Sequence, residues 1–260
     1  MKAEYYESIF KRKSFHLFRG VGDDKLTQEE LDAIQAAYAG FEKLYPEIRT
    51  AIRIVPAGKV NFKHDAEYCV LIYSEKKENY LINAGYIGEQ LDLWLVAHNV
   101  GSLWFGIGKP DEATFDGLDY VIMFAIRKIG DESKFRGDMF AAKRKPLDEI
   151  WTGDDLGIAN VARFAPSACN SQPWTVENKD NVLTVTRYKQ PGKRGIMPAS
   201  AVSYFNRIDM GIYLCFLEIC LEKNGIGYVR ALFPDDGGDR ELTKVATYRI
   251  DAKNENMNKE

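Results

Sequence analysis

The sequence has no excess of charge of one sign and no long apolar run, and these absences exclude two large classes of protein. It contains 35 Lys and Arg against 38 Asp and Glu, a formal net charge of −3. A protein that binds nucleic acid through charge needs a basic excess on one face, so we expect no nucleic-acid partner. No apolar run approaches the roughly 18 to 20 residues of a membrane span, and the first residues do not resemble a secretion signal. We therefore expect neither export nor a membrane partner.

Cysteine and histidine are also scarce. Four cysteines are spread over the 260 residues without a C-x-x-C pair, which is typical of free thiols in a reducing compartment, and we predict a cytoplasmic protein. No two of the three histidines have the spacing of a helical metal site, so we predict no metal. The sequence lacks G-x-G-x-x-G after a strand and G-x-x-x-x-G-K-[ST], which argues against Rossmann and P-loop nucleotide binding. Its 45% hydrophobic and 28% charged residues indicate an ordinary globular chain.

Hydrophobic periodicity and turn residues predict two series of elements. In the first half we expect a helix at 4–12 and a second helix from Thr27, which forms a capping box with Glu30, to about Tyr45 before Pro46. Strands at 52–55 and 68–73, a buried helix at 80–99 and a strand at 120–126 follow. The second half has predicted helices at 147–151, 154–164 and 201–224 and strands at 174–176, 182–188, 228–233 and 245–250. We expect Gly101 and Gly225 to end the two buried helices.

The two buried helices align at an offset of 124 residues, which places Tyr80 on Tyr204 and Gly101 on Gly225. Such a repeat indicates duplication of one α/β unit, with the two helices packed as they would be in a homodimer. Chance similarity between two apolar helices is the alternative. We therefore predict a first half at residues 1–146, a second half at 147–250 and a polar tail at 251–260.

A cluster of potential cations ends the first helix, in the segment Arg12-Lys13-Ser14-Phe15-His16. Arginine presents a two-pronged donor and serine a hydroxyl, so the segment could bind a phosphate through charge-assisted hydrogen bonds. A solvated basic turn is the alternative interpretation.

A second segment, residues 165–174 with the sequence APSACNSQPW, lies between a predicted helix and a predicted strand. Its two prolines make the loop stiff, so that Ser167, Asn170 and Gln172 would be fixed hydrogen-bonding groups. Such groups suit the edge of a planar polar heterocycle. The alternative is a helix stop followed by a proline-rich turn.

Taken together, the two segments resemble the FMN-dependent nitroreductase family. Residues 12–18 match its R-R-S-x-R-x-F pattern, and residues 166–174 match P-S-x-x-N-x-Q-P-W without a gap. Residues 99–106 resemble the stretch that follows the family's central helix. The two motifs lie in different halves, as in the branch with two nitroreductase-like halves fused in one chain. The resemblance implies an α+β, nitroreductase-like fold, internally duplicated as a pseudo-dimer with central helices packed between two mixed β-sheets.

The resemblance also implies the cofactor FMN and the residues that hold it. Arg12 and Ser14 would hold the phosphate and ribityl end, and the basic residues 143–145 would join them. Ser167 and Asn170, from the other half, would contact the ribityl chain and ring, and the Gly106 N–H would face flavin N5. The full predicted set is Arg12, Lys13, Ser14, His16, Gly106, Lys143, Arg144, Pro166, Ser167, Ala168, Asn170 and Gln172.

The implied function is an oxidoreductase that passes electrons from NADH or NADPH to a nitroaromatic, quinone or similar flat acceptor by a ping-pong mechanism. The flavin carries the chemistry, so no side chain is expected to be catalytic. His16 stands where the family has Arg or Lys near the flavin pyrimidine, and we expect it only to tune the reaction. The alternatives are an FMN- or flat-ligand-binding protein without turnover and a flavin-modifying relative. The implied assembly is a monomeric pseudo-dimer or a weak homo-oligomer.

Overall fold

The computed structural model describes residues 3–62 and 64–251. The chain forms two compact units, residues 1–142 and residues 143–260. Each unit contains helices and one five-stranded sheet, which confirms the predicted α+β class. The unit boundary precedes residue 146 because the backbone at Lys143 and Lys145 is hydrogen-bonded to a loop of the second unit. Of the predicted polar tail, all residues after Asp251 lie outside the described part of the chain.

The described residues of the first unit form three α-helices and five strands. The helices are α1 (Ala3–Lys11), α2 (Gln28–Ala39) and α3 (Tyr80–Ala97). The strands are β1 (Thr50–Pro56), β2 (Tyr68–Ser74), β3 (Val100–Phe105), β4 (Thr114–Phe115) and β5 (Leu118–Lys128). They make an antiparallel sheet in the order β1-β2-β5-β3, with β4 paired to β5. Leu71 faces Met123 across β2 and β5, and Ser102 faces Ile126 across β3 and β5.

Helix α2 starts as predicted and ends earlier than predicted. Thr27 and Glu30 form the capping box, with each side chain accepting from the other residue's backbone N–H. The helix ends at Gly40 rather than at Pro46. The chain after Gly40 bonds instead to side chains of α3, because the N–H of Glu42 donates to Gln90 and the N–H of Tyr45 donates to Asn83. Tertiary hydrogen bonds therefore replace the last predicted helical turn.

Helix α3 is buried on every side, as predicted, since all residues from Leu81 to Val96 are buried. Its left-handed end residue is Asn99, at φ 56°, and not Gly101 as predicted. Gly101 lies in β3, a strand that the sequence pattern did not predict because it follows the helix almost without a turn. A Cβ at Gly101 would lie 2.7 Å from Cδ1 of Ile129, so a close approach explains this glycine.

The second unit has the same kinds of element. Its helices are α4 (Leu147–Ile150), α5 (Ala159–Ala162) and α6 (Ala199–Lys223). Its strands are β6 (Trp151–Thr152), β7 (Trp174–Lys179), β8 (Val182–Tyr188), β9 (Tyr228–Leu232) and β10 (Leu242–Ile250). The sheet order is β6-β7-β8-β10-β9, parallel only between β6 and β7. Helix α6 is buried over most of its length and Gly225 ends it at φ 64°, as predicted.

Helix α5 is much shorter than the helix predicted at 154–164. Leu156 and Gly157 have positive φ angles of 53° and 70°. The Asp154 carboxylate accepts from the Leu156 N–H, and the Asp155 carboxylate accepts from the Gly157 N–H. Such local side-chain bonds compete with helical ones, so the helix begins only at Ala159.

The main strands follow the same order in both units. The order β1-β2-β5-β3 corresponds to β7-β8-β10-β9. Along the chain, the long buried helix follows β2 and precedes β3 in the first unit, and it follows β8 and precedes β9 in the second. The starts of β1 and β7, Thr50 and Trp174, keep the 124-residue offset, as do Leu118 and Leu242 at the starts of β5 and β10. The two halves therefore share their connectivity.

The contact between α3 and β3 allows a test of the first unit's packing. A Cβ at Gly88 on α3 would lie 2.5 Å from Cη2 of Trp104 on β3, a rigid ring that cannot bend away. Gly88→Ala should lower the free energy of unfolding by about 1 to 3 kcal/mol, although alanine favours a helix by about 1 kcal/mol. Urea unfolding measures the difference. Gly58→Ala is the matched control, since no atom lies within 4 Å of its Cβ; equal midpoints for the two variants would contradict this packing.

Candidate functional site

The predicted site residues fall into two sets, one in each unit. The first unit holds residues 12–16, which we call the cation segment, together with Gly106. The second unit holds residues 167–172, which we call the amide loop, together with Pro166, Lys143 and Arg144.

The cation segment runs from the end of α1 along β3. Ser14 forms a parallel bridge with Ser102, and the Phe15 N–H donates to the Ser102 carbonyl at 3.0 Å. Phe15 and Phe18 are buried in the core of the unit and anchor the segment on both sides of His16, which is exposed. Gly106 follows the last residue of β3 and is half-buried, roughly 13 Å along the strand from Ser102 at about 3.3 Å per residue.

Arg12 is buried and bound by a carboxylate of α3. Its Nε donates to Oδ2 of Asp92 at 2.6 Å and lies 3.6 Å from Oε1 of Glu89. Asp92 also accepts from the Ser102 hydroxyl and from Nε1 of Trp104. Burial opposes the charge of Arg12, but the two carboxyl groups outweigh it and raise the pKa of the guanidinium. The arginine is therefore held as a cation inside the unit.

The two acidic neighbours of Arg12 have different surroundings. Burial, and then the charge of Asp92, raise the pKa of Glu89 well above its usual range. Asp92 supplies the negative charge that balances Arg12. Nη2 of Arg12 is buried and has no hydrogen-bond partner among the described residues. A buried donor of this kind calls for an acceptor, because leaving it unpaired costs about 1 to 3 kcal/mol or more.

A cation that the sequence motifs did not single out, Arg136, lies beside Arg12. Its backbone N–H donates to the Lys11 carbonyl and its Nε donates to the Arg12 carbonyl, at 2.9 and 3.0 Å. Burial and the positive charge of Arg12 lower the pKa of Arg136. Nζ of Lys13 donates to the carbonyl of Lys134, two residues before Arg136. Nothing in the sequence distinguishes Arg136 from other isolated loop arginines, so only the fold reveals it.

The amide loop has a backbone that few sequences adopt. Cys169, Asn170 and Gln172 all have left-handed φ angles, of 49°, 54° and 47°. Asparagine tolerates this conformation, whereas cysteine and glutamine do not favour it, and each such residue costs of order 1 to 3 kcal/mol. The loop is closed by a hydrogen bond from the Gln172 N–H to the Ser167 hydroxyl at 2.9 Å. Strain of this kind is typical of functional loops held by their surroundings.

A buried carboxylate of α6 holds both ends of the amide loop. Oδ1 of Asp209 accepts from the Ala168 N–H at 2.9 Å, and Oδ2 accepts from the Ser171 hydroxyl at 3.1 Å and from Nδ2 of Asn206 at 3.0 Å. Asp209 is 2% exposed. Burial without a cation outweighs these three donors and raises the pKa of Asp209 to about 7. The sequence analysis missed this residue, although an acid in an apolar helix is an unusual feature.

The structure brings the predicted residues of the second unit together. Nη1 of Arg144 donates to Oδ1 of Asn170 at 3.1 Å, and Nδ2 of Asn170 donates to the Lys143 carbonyl at 3.2 Å. The Gln172 amide is buried, accepts from the Lys145 N–H and donates to Asn170. Asn170 and Lys143 are exposed, Ser167 and Ala168 are half-buried, and Pro166 is buried. Residues 143–145 and the amide loop are thus one hydrogen-bonded surface.

The part of the chain that the structure describes has neither a metal-binding cluster nor a membrane-spanning helix. Within residues 3–62 and 64–251, no group of three or more His, Cys, Asp or Glu side chains is placed to hold a metal ion. None of the helices in that part of the chain is long and apolar enough to cross a membrane. Cys69, Cys215 and Cys220 are buried free thiols and Cys169 is an exposed one.

Comparisons with known proteins agree on one family. The model of the family described as "Putative TM nitroreductase" matches residues 4–220. The structure of a "putative nitroreductase" from Thermotoga maritima is similar over 95% of this chain and 93% of that one, at 18% identity and a TM-score of 0.58. A nitroreductase family protein from Clostridium difficile is similar over 57% of this chain and 96% of its own, at 15% identity and a TM-score of 0.45. No curated protein matches significantly. The first structure shows that the fold is nitroreductase-like.

The raised pKa of Asp209 predicts a pH dependence of stability. The folded protein retains this proton up to about pH 7, whereas the unfolded chain releases it near pH 4, so the free energy of unfolding should fall as the pH rises between these values. From pH 5 to pH 8, the free energy of unfolding of the wild type should fall by about 2 to 3 kcal/mol more than that of Asp209→Asn, whose amide does not titrate. Urea unfolding at several pH values measures this.

The control for this pH series is Asp119→Asn, since Asp119 is an exposed carboxylate paired with Lys76. It should follow the wild type at every pH. Parallel curves for the wild type and Asp209→Asn would show that Asp209 is ionised throughout this range.

Proposed function

Because the chain belongs to the TM nitroreductase family, we propose that it is an FMN-dependent oxidoreductase acting between NADH or NADPH and a nitroaromatic, quinone or similar flat acceptor. Membership of a nitroreductase family indicates an oxidoreductase. The cofactor, the electron donor, the acceptor and the residue roles are our proposal, and the observation that carries it is the buried Arg12 guanidinium with one unpaired donor.

The residues of the cation segment fit a phosphate group. Asp92 fixes Arg12 at Nε, so the direction of the unpaired Nη2 is set before any ligand arrives. A phosphate oxygen is a strong acceptor for such a donor, and preorganisation lowers the entropy lost on binding. Since Asp92 already neutralises Arg12, the extra positive charge for a phosphate must come from neighbours. Lys13 and Arg136 supply it, and Ser14 adds a hydroxyl.

The residues of the amide loop suit the polar edge and hydroxyl groups of a flavin nucleotide. Ser167 uses one lone pair to accept from the Gln172 N–H, which leaves its hydroxyl proton to donate. Asn170 is exposed and oriented by Arg144 and by the Lys143 carbonyl. Lys143 and Arg144 add positive charge next to these groups. The Gln172 amide is satisfied within the unit, so its role is to fix Asn170 and the backbone of Lys145.

When bound, FMN supplies the redox chemistry through which donor and acceptor react in turn by a ping-pong mechanism. The chain's own groups bind and orient. The Gly106 N–H, at the end of β3, is proposed to donate to the ring, and the exposed His16 to set the charge at the ring's pyrimidine edge. No side chain is required as a general acid or base, in agreement with the absence of a hydrolytic motif in the sequence.

The shared strand order of the two units supports duplication of one ancestral unit. We propose that the chain is a pseudo-dimer, monomeric or weakly associated in solution, with the two buried helices as its repeated core. The cation segment occurs only in the first half and the P-S-x-x-N pattern only in the second. If both sets are needed for one cofactor, each chain binds one FMN.

Reduction and reoxidation of the purified protein test the function. FMN-loaded protein should lose its yellow colour with NADH or NADPH and recover it with a nitroaromatic or a quinone. Colour that persists with both nicotinamides indicates a flavin carrier without turnover. Irreversible loss of the flavin spectrum indicates a flavin-modifying enzyme.

Arg12→Lys should weaken FMN binding by roughly ten- to a hundredfold, because lysine keeps the charge beside Asp92 and loses the second donor, a contact worth about 1.5 to 3 kcal/mol. Quenching of flavin fluorescence during titration measures the affinity and the stoichiometry, for which we expect one FMN per chain. Lys11→Ala is the matched control, since it removes an exposed cation from the preceding residue. Unchanged affinity in Arg12→Lys would refute the proposed contact, and two FMN per chain would refute the expected stoichiometry.

His16→Lys should raise the reduction potential of the bound flavin or speed its reduction. A lysine places a full ammonium charge where the wild type has an imidazole, and a nearby cation favours added negative charge on the ring. Stopped-flow absorbance at saturating FMN measures the rate, and Lys11→Ala again controls for net charge. If the variant reduces its flavin no faster than the wild type and the reduction potential is unchanged, His16 does not lie near the ring.

A further inference from the structure

We propose that Asp209 is a positioning residue that holds the amide loop in the conformation that binds the flavin. The inference deepens the proposed function and rests on it for the identity of the ligand. The loop's dependence on Asp209 is a separate claim, and it can be measured in the protein without cofactor.

The hydrogen bonds of Asp209 tie the loop to α6 at two points. The Ala168 N–H lies at the loop's beginning and the Ser171 hydroxyl near its end, and both donate to this one carboxylate. The third donor, Asn206, lies one helical turn before Asp209 and also donates to the Ser171 hydroxyl oxygen at 2.9 Å. The carboxylate thus fixes the residues on both sides of Cys169 and Asn170.

The ionised form of Asp209, present above about pH 7, is the form that this arrangement of donors requires. Three donors converge on two oxygens, and an amide at residue 209 would offer one acceptor oxygen and turn an NH2 group toward donors. Every group that the structure shows bonded to Asp209 is neutral, so no ion pair compensates the burial of this acid. A costly buried acid without a cation is explained if its hydrogen bonds maintain something the fold needs.

The strained backbone of the amide loop is what the hydrogen bonds of Asp209 maintain. Left-handed φ angles at Cys169 and Gln172 persist only where the surroundings over-determine them. The Ser167 hydroxyl and the Gln190 amide bond to the loop as well, but they bond at Gln172 and at the Ser171 carbonyl. Arg144 and the Lys143 carbonyl bond to the loop only at Asn170, and Asn206 bonds to it only at Ser171. Asp209 bonds to it at both Ala168 and Ser171, and so ties both flanks of Cys169 and Asn170 to α6. Releasing them should let the loop relax away from the strained conformation.

Cys169 is a built-in reporter of the loop's conformation. It is exposed, whereas Cys69, Cys215 and Cys220 are buried. Its Sγ packs near Gly195, where a Cβ would lie 3.3 Å away. A thiol reagent such as 5,5′-dithiobis(2-nitrobenzoic acid) should therefore modify Cys169 first, and the rate depends on the conformation of the loop around this thiol.

The experiment compares Asp209→Asn, Ser171→Ala and Glu218→Gln with the wild type, without cofactor and then with FMN. Glu218 is the matched control, because it is a buried acid of the same helix bonded to Arg230 and Tyr248 rather than to the loop. At pH 8.5, where Asp209 is ionised, we expect Asp209→Asn to increase the Cys169 modification rate by no more than about tenfold, because the thiol is already exposed and one hydrogen bond to a charged group is lost. Ser171→Ala, which keeps the carboxylate and folds more safely, should show a smaller increase.

With FMN, the same two variants should bind more weakly in the same order, while Glu218→Gln binds as the wild type does. Equal modification rates in Asp209→Asn, Ser171→Ala and the control would overturn the positioning role, whether or not flavin binds. If the variants show altered Cys169 modification rates but the wild-type protein binds no FMN, the positioning role is supported and the proposed function is refuted. Altered loop rates with unchanged FMN affinity would overturn the link between the loop and the flavin.

Discussion

The cost of burying a carboxylate organises both candidate segments of this protein. An acid inside an apolar helix must draw hydrogen-bond donors to itself, and those donors are then fixed. In the first unit Asp92 of α3 draws in Arg12, Ser102 and Trp104. In the second unit Asp209 of α6 draws in the amide loop. The long helices are therefore more than hydrophobic cores, since each carries the group that positions the chain beside it.

The two acids are similar in role and different in chemistry. Asp92 is balanced by a cation, so its unit has a neutral pair at the position where an anion is expected to bind, and the attraction depends on Lys13 and Arg136. Asp209 has only neutral partners, and its ionisation is the state that burial opposes. They do not occupy equivalent places, because Asp92 lies in the last half of α3 and Asp209 in the first half of α6. If the halves arose by duplication, the acids were placed independently.

The elements predicted well from the sequence are those that their own hydrophobic pattern identifies. The two buried helices and most strands have apolar runs that no partner needs to complete, and the structure confirms them. The errors at Tyr45 and at residues 154–158 arise where a side chain distant in sequence, or local aspartates, take over backbone hydrogen bonds. Strand β3 was missed because it follows α3 almost without a turn. Motifs predicted the segments of the candidate site. They could not predict the roles of Asp92, Asp209 or Arg136, because the role of a buried acid or a loop arginine depends on tertiary contacts that the sequence does not show.

The segment before the first long strand of each sheet shows how related connections can acquire different roles. In the first unit this segment, residues 45–49, bonds to α3 through the Asn83 amide and turns Ile48 into the core, where it is 1% exposed. In the second unit the amide loop bonds to α6 through Asp209 and leaves Asn170 exposed. An amide has one acceptor oxygen and fixes one backbone N–H, whereas a carboxylate fixes two separate points and can hold a strained turn outward. The polar group on the buried helix thus differs between the connection that completes the core and the connection that leaves Asn170 exposed.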